Sequence, residues 1–262
     1  MLLKRPGLTY NLRATCKGML WVLAVYTGLF LLAVIFAAVS RVETTFNVGT
    51  ITTGGVTFGG AEGVFFIAFM IACMSDYTAE FHFMLQHSLS RRSAFIDYVL
   101  HIVLASAFVA ALAYLGTTLF SFIGSLPAVQ IDTQLIFPAV YSAWLEPRGA
   151  LVGVLMTFLY SWTMLITAGV LGYLITTLFY RMGTVGKTIF WGVLIAGGVL
   201  LPVLNRLTGG WLWQFALWFG QTFLGRGDVP NPWNGMGVFL VLALLGLIPC
   251  WLLVRRCKLK KA

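Results

Sequence analysis

The stretch EFHFMLQHSLSRRSAFIDYVLHI, Glu80 to Ile102, decides how this chain folds. Just before and into it, Ala61 to Leu85 is apolar enough to cross a bilayer, yet Asp76, Glu80 and His82 lie in the second half, so that end approaches water. Beyond it, Tyr98 to Ile123 is apolar again. One helix therefore leaves the membrane and another quickly returns. Ser88 or Ser90 can cap the returning helix, Arg91 and Arg92 face water or lipid phosphate, and Phe95 and Ile96 offer an apolar edge.

The rest of the chain alternates in the same way. Of its 262 residues 60% are hydrophobic and 10% charged, whereas an average soluble domain has about 25% charged residues. A helix crossing a hydrocarbon layer of about 30 Å needs roughly 20 apolar residues. Besides the two runs above, Met19 to Val39, Ala150 to Tyr180, Thr188 to Leu204 and Gly235 to Val254 meet or approach that length. Ala150 to Tyr180 is long enough to require tilt or protrusion, and no polar block is long enough to fold separately. The expectation is an all-α polytopic membrane protein with six transmembrane helices in one transmembrane domain over residues 1–262. The first run lacks a small-residue cleavage pattern and reads as a retained helix.

Basic residues set the orientation, because cytosolic flanks carry their excess. With the amino terminus inside, Lys4, Arg5, Arg13, Lys17, Arg91, Arg92, Arg181, Lys187, Arg255, Arg256, Lys258, Lys260 and Lys261 all face the cytosol. Arg41, Arg148, Arg206 and Arg226 fall outside, with Glu43, Glu62, Asp132, Glu146 and Asp228. Both termini are then cytosolic. The net charge of +9 is accounted for by this topology, without nucleic acid as a partner.

A second stretch, YRMGTVGKTIF from Tyr180 to Phe190, imitates a phosphate-binding loop. Gly186, Lys187 and Thr188 match the end of G-x-x-x-x-G-K-[ST], but Arg181 stands where the first glycine belongs. The motif works only between a parallel strand and a helix amino terminus, and this segment joins two membrane helices. It reads instead as a tight cytosolic hairpin, reversed at Gly183 and Gly186 and anchored at the headgroups by Arg181 and Lys187.

The run LQHSLSRRSAF, Leu85 to Phe95, resembles the segment after the second helix in permease subunits of ABC-2-type ABC transporters. Six spans, cytosolic termini and a basic, glycine-containing hairpin at Arg181 to Lys187 are also similar to that family. Ser88 is a departure, since the family more often has glycine there. The resemblance implies a short cytosolic coupling helix between helices 2 and 3, formed by Ser88, Leu89, Ser90, Arg91, Arg92 and Phe95, that docks on a separate cytosolic ABC ATPase. That partner would bind ATP and Mg, and this chain would bind neither. The resemblance further implies a second permease subunit, identical or related, and export of a peptide, drug or other amphipathic substrate across a cell membrane, in a bacterium the plasma membrane. It also implies an interfacial amino-terminal segment over residues 1–18, where Pro6 and Gly7 would delay the helix start.

Asp76 and Glu80 share a helix face and repel unless something relieves them. Either they line an inward cavity that attracts a cationic substrate, or they sit at the headgroups near Arg91 and Arg92. His82, His87 and His101 lack acidic or cysteine partners at metal-ligand spacing and read as interfacial or packing residues, so no metal is expected. Cys16, Cys73, Cys250 and Cys257 suggest no disulfide framework. The segment Leu207 to Gly225, with Trp211, Trp213, Phe215, Trp218, Phe219 and Phe223, reads as a re-entrant or interfacial element before the last helix. Gly59 and Gly63 form a weak close-packing motif, and Arg41 to Gly60 reads as an external connection. A catalytic nucleophile with a matching base is not evident, which disfavours an intramembrane enzyme. The alternative to a permease subunit is a standalone secondary carrier or channel, which would need coupling charges within its spans.

Overall fold

A computed structural model describes residues 6–40, 56–57, 61–86, 90–124, 131–132, 135–223 and 231–255; some helix side chains, those of Asp76, Glu80 and His82 among them, lie outside that description. The chain runs α1 (Pro6–Ser40), β1 (Val56–Thr57), α2 (Ala61–Gln86), α3 (Arg91–Gly124), β2 (Ile131–Asp132), α4 (Ile136–Val140), α5 (Ser142–Leu145), α6 (Ala150–Arg181), α7 (Thr184–Leu207), α8 (Trp211–Phe223) and α9 (Pro232–Arg255). Among the described residues three helices are long and apolar enough to cross a membrane: Arg91–Phe122, Ala150–Arg181 and Pro232–Arg255. This is a helical protein with the character of a membrane protein. The two strands are a two-residue parallel pair, with Val56 opposite Ile131 and Thr57 opposite Asp132.

Helix α6 forms the core, packed against α2, α3, α4 and α9. Its buried face carries Tyr160, Leu165, Ala168, Val170 and Tyr173 together with threonines that would be costly in apolar surroundings if left unpaired. They are satisfied locally. Thr157, Thr176 and Thr177 donate to the carbonyls four residues back, at 2.8, 3.0 and 2.9 Å. Two also reach across helices: Thr167 is 2.9 Å from the Phe239 carbonyl on α9, and Thr176 is 3.2 Å from the Met74 carbonyl on α2.

Glycine sets how closely α2 can lie on α6. A Cβ at Gly172 would sit 2.5 Å from the Met70 carbonyl oxygen, so only a hydrogen fits there. At Gly63 the same addition would meet nothing within 4 Å, so the motif read around Gly59 and Gly63 makes no close approach at its described member. Gly59 lies outside the described residues.

Three helix ends bear on the sequence expectations. Helix α1 starts at Pro6 and runs unbroken through Gly18 to Ser40, because proline in a first turn loses only an N–H that lacks a partner anyway. Residues 6–18 are thus helical and continuous with the first apolar run. The bend before α3 likewise holds no separate short helix in its described part: Arg91 opens α3 itself, which continues 34 residues to Gly124. Finally, the turn at Met182 and Gly183 uses no left-handed glycine. Both residues are extended (φ −72° and −71°), and two extended residues suffice to end one helix and start the next.

Candidate functional site

The start of α3 is built from its own sequence outward. Ser90 lies just before the helix and its hydroxyl accepts the Ser93 N–H at 3.2 Å, as an N-cap does. Arg91 and Arg92 follow, both exposed. The Arg91 guanidinium then donates to the Arg255 carbonyl at 2.7 Å. That carbonyl belongs to the last turn of α9, where backbone acceptors lack helical partners and carry partial negative charge, so the arginine caps α9 from another helix. Arg92 is left facing outward.

Phe95 turns inward. Its ring centroid lies 5.1 Å from Trp251 on α9 and 6.1 Å from Tyr173 on α6. Tyr173 in turn meets Tyr98 at 4.3 Å, and the Tyr98 hydroxyl donates to the Cys73 carbonyl on α2. The apolar side chain exposed beside Arg92 is Ile96, at 39%. Ser88 and Leu89 lie outside the described residues, as do the side chains of Asp76 and Glu80, although both carboxylates belong to α2.

At the hairpin, Arg181 ends α6, Gly183 precedes α7, and Lys187 is exposed in the first turns of α7. Gly186, Lys187 and Thr188 are helical and follow a helix, α6, where a phosphate-binding loop requires a strand. Next along the chain, α8 carries an exposed ring ladder, with Trp211 and Phe215 at 5.8 Å and Phe215 and Trp218 at 5.7 Å. At 13 residues it is about 20 Å long, too short to span. Asn205 caps it by accepting the Trp213 N–H at 3.0 Å, across a turn in which Gly209 and Gly210 have φ of 65° and 85°.

Two buried titratable groups tie helices together. His101 is fully buried, with Nε2 3.0 Å from the Thr15 hydroxyl of α1 and Nδ1 without a partner among the described residues. This fits a packing role. Glu62, read as an external flank residue, is 1% exposed. Its carboxylate accepts the Ile136 N–H at the start of α4 and the Ser161 hydroxyl of α6. Around Ile136, Phe137 and Tyr141 pack on Tyr160 at 5.4 and 5.6 Å. Cys73 and Cys250 are buried and Cys16 half-buried, none of them in a disulfide. Among the described residues no cluster of three metal-ligating side chains occurs.

No family model matches this chain, and no curated protein or solved structure is significantly similar to it.

Proposed function

We propose that this chain is the membrane-spanning permease subunit of an ABC-2-type transporter, paired with a second permease chain and driven by a separate cytosolic ATPase that binds the ATP and Mg. In this reading six helices cross a bacterial plasma membrane, with both termini cytosolic, and an amphipathic substrate is exported. Support for the count comes from α1, α2, α3, α6, α7 and α9, each of which contains one of the six apolar runs. Arg181 and Lys187 would contribute a second basic edge on the same side.

The observation that carries the reading is the start of α3. Exposed Arg92 and Ile96 offer a charged and an apolar contact to a partner, while Arg91 fastens the same turn to the end of α9. A push on this turn would be delivered to two long helices at once. Phe95 backs the contact from inside, so it serves as a strut where the sequence suggested an anchor.

The test is co-purification of the full chain in mild detergent with a soluble P-loop ATPase at equal stoichiometry. Arg92→Ala with Ile96→Asp is expected to release the ATPase while leaving the thermal midpoint unchanged. Phe95→Ala should instead destabilise the chain by about 3 kcal/mol, the typical cost of emptying a packed aromatic site. Solute movement by the purified chain alone in liposomes without nucleotide would replace this reading with the carrier or channel.

A further inference from the structure

We propose that Glu62 is a charge-loaded latch, holding α4 and α5 as a lid on the end of the α2, α6 and α9 bundle opposite Arg91 and Arg255. The lid is two helices of five and four residues. Neither has a side-chain cap from its own flank. The acceptor that α4 needs comes from Glu62, on α2, while Phe137 and Tyr141 fill the space over Tyr160, Met156 and Met236. The β1 and β2 pair adds a second tether before each partner, with Thr57 five residues from Glu62 and Asp132 four from Ile136.

The choice of residue is what implies release. A neutral acceptor would also take the Ile136 N–H, though by a weaker bond, whereas burying a carboxylate is costly unless a cation compensates it. Among the described residues Glu62 has only two neutral donors, the Ile136 N–H and the Ser161 hydroxyl, and no ion pair. Lifting the lid would return the carboxyl group to water, where its charge is well solvated. The same group therefore closes the lid by its hydrogen bonds and favours opening by its charge. A merely structural contact has only the first effect, and this separates the two ideas.

The latch does not depend on the transport reading and is tested on the purified full chain in lipid nanodiscs by amide hydrogen exchange. Glu62→Gln keeps an acceptor for Ile136, and Ser161 can turn to accept from the new amide. Exchange across Ile136–Leu145 is expected to slow about tenfold in that variant, which loses the charge, and to quicken about tenfold in Glu62→Ala, the effect of losing a hydrogen bond. Amides in the middle of α6 should not change in either. If Glu62→Ala does not fold, Ser161→Ala takes its place and should quicken exchange in the lid. A Glu62→Gln protein whose lid exchanges as fast as the parent or faster overturns the latch, as does a change shared equally by α6.

Discussion

Replacing Gly172 by alanine should weaken the protein although alanine is the better helix former. The new Cβ would lie 2.5 Å from the Met70 carbonyl oxygen and 3.3 Å from the Cys73 Cβ. A carbon to oxygen contact relaxes at about 3.3 Å, so α2 and α6 must part by about 0.8 Å. Backbone cannot turn aside as a side chain can. The 3.2 Å bond from Thr176 to the Met74 carbonyl crosses the same interface and would stretch beyond bonding distance. Overpacking of this kind costs about 1–3 kcal/mol. The lost interhelical bond adds about 0.6 kcal/mol, while the helix propensity of alanine returns about 1 kcal/mol. The net expectation is a loss of about 2 kcal/mol.

Two controls sharpen the comparison. At Gly169 the added Cβ would meet Ile102 Cγ2 at 2.7 Å and Phe69 Cε1 at 2.9 Å, both on fully buried side chains, so Gly169→Ala should also destabilise. Gly63→Ala meets nothing and should be neutral or stabilising. Reversible unfolding in mixed micelles, followed by far-ultraviolet circular dichroism, gives the order directly. A Gly172→Ala protein as stable as Gly63→Ala would refute the close approach of α2 and α6.

Thr15→Val removes the hydroxyl that pairs with His101 Nε2 and leaves a fully buried imidazole without either partner, at a cost of about 1–3 kcal/mol in the same unfolding assay. Thr15→Ser should restore most of it. Asn205→Ala uncaps α8, with an expected loss of about 1 kcal/mol felt locally as faster amide exchange at Trp211 to Trp213 and not in α6.

How much was legible in the sequence differs by scale. The apolar runs coincide with long helices because a span is demanded by composition, and twenty apolar residues in a row leave few alternatives. Helix ends were harder. Nothing local at Arg91 distinguishes a short coupling helix from the first turn of a long one, and Gly18 interrupts the apolar pattern without breaking α1. The side to which a ring points was also hidden: Phe95 and Ile96 are equivalent as letters, yet one packs on Trp251 and the other is exposed.

Glu62 was the largest miss. A single glutamate at the start of an apolar run looks the same whether it meets headgroups or is swallowed by the fold, and its partners lie 74 and 99 residues further on. Gly172 had a faint signal in the sequence TAGVLG, Thr167 to Gly172, whose small residues could have been read as a packing face.

The fastening of Arg91 to the Arg255 carbonyl has a practical side. It ties Arg255, after which Arg256, Lys258, Lys260 and Lys261 follow in sequence, to the turn that carries Arg92. A bulky purification tag fused after Ala262 is attached only seven residues beyond Arg255 and would crowd the proposed docking point, whereas an epitope spliced between α1 and β1 is attached at Ser40, at the other end of α1 from Pro6. Pull-down experiments that rely on a carboxyl-terminal fusion should therefore be repeated with the internal epitope before a negative result is believed.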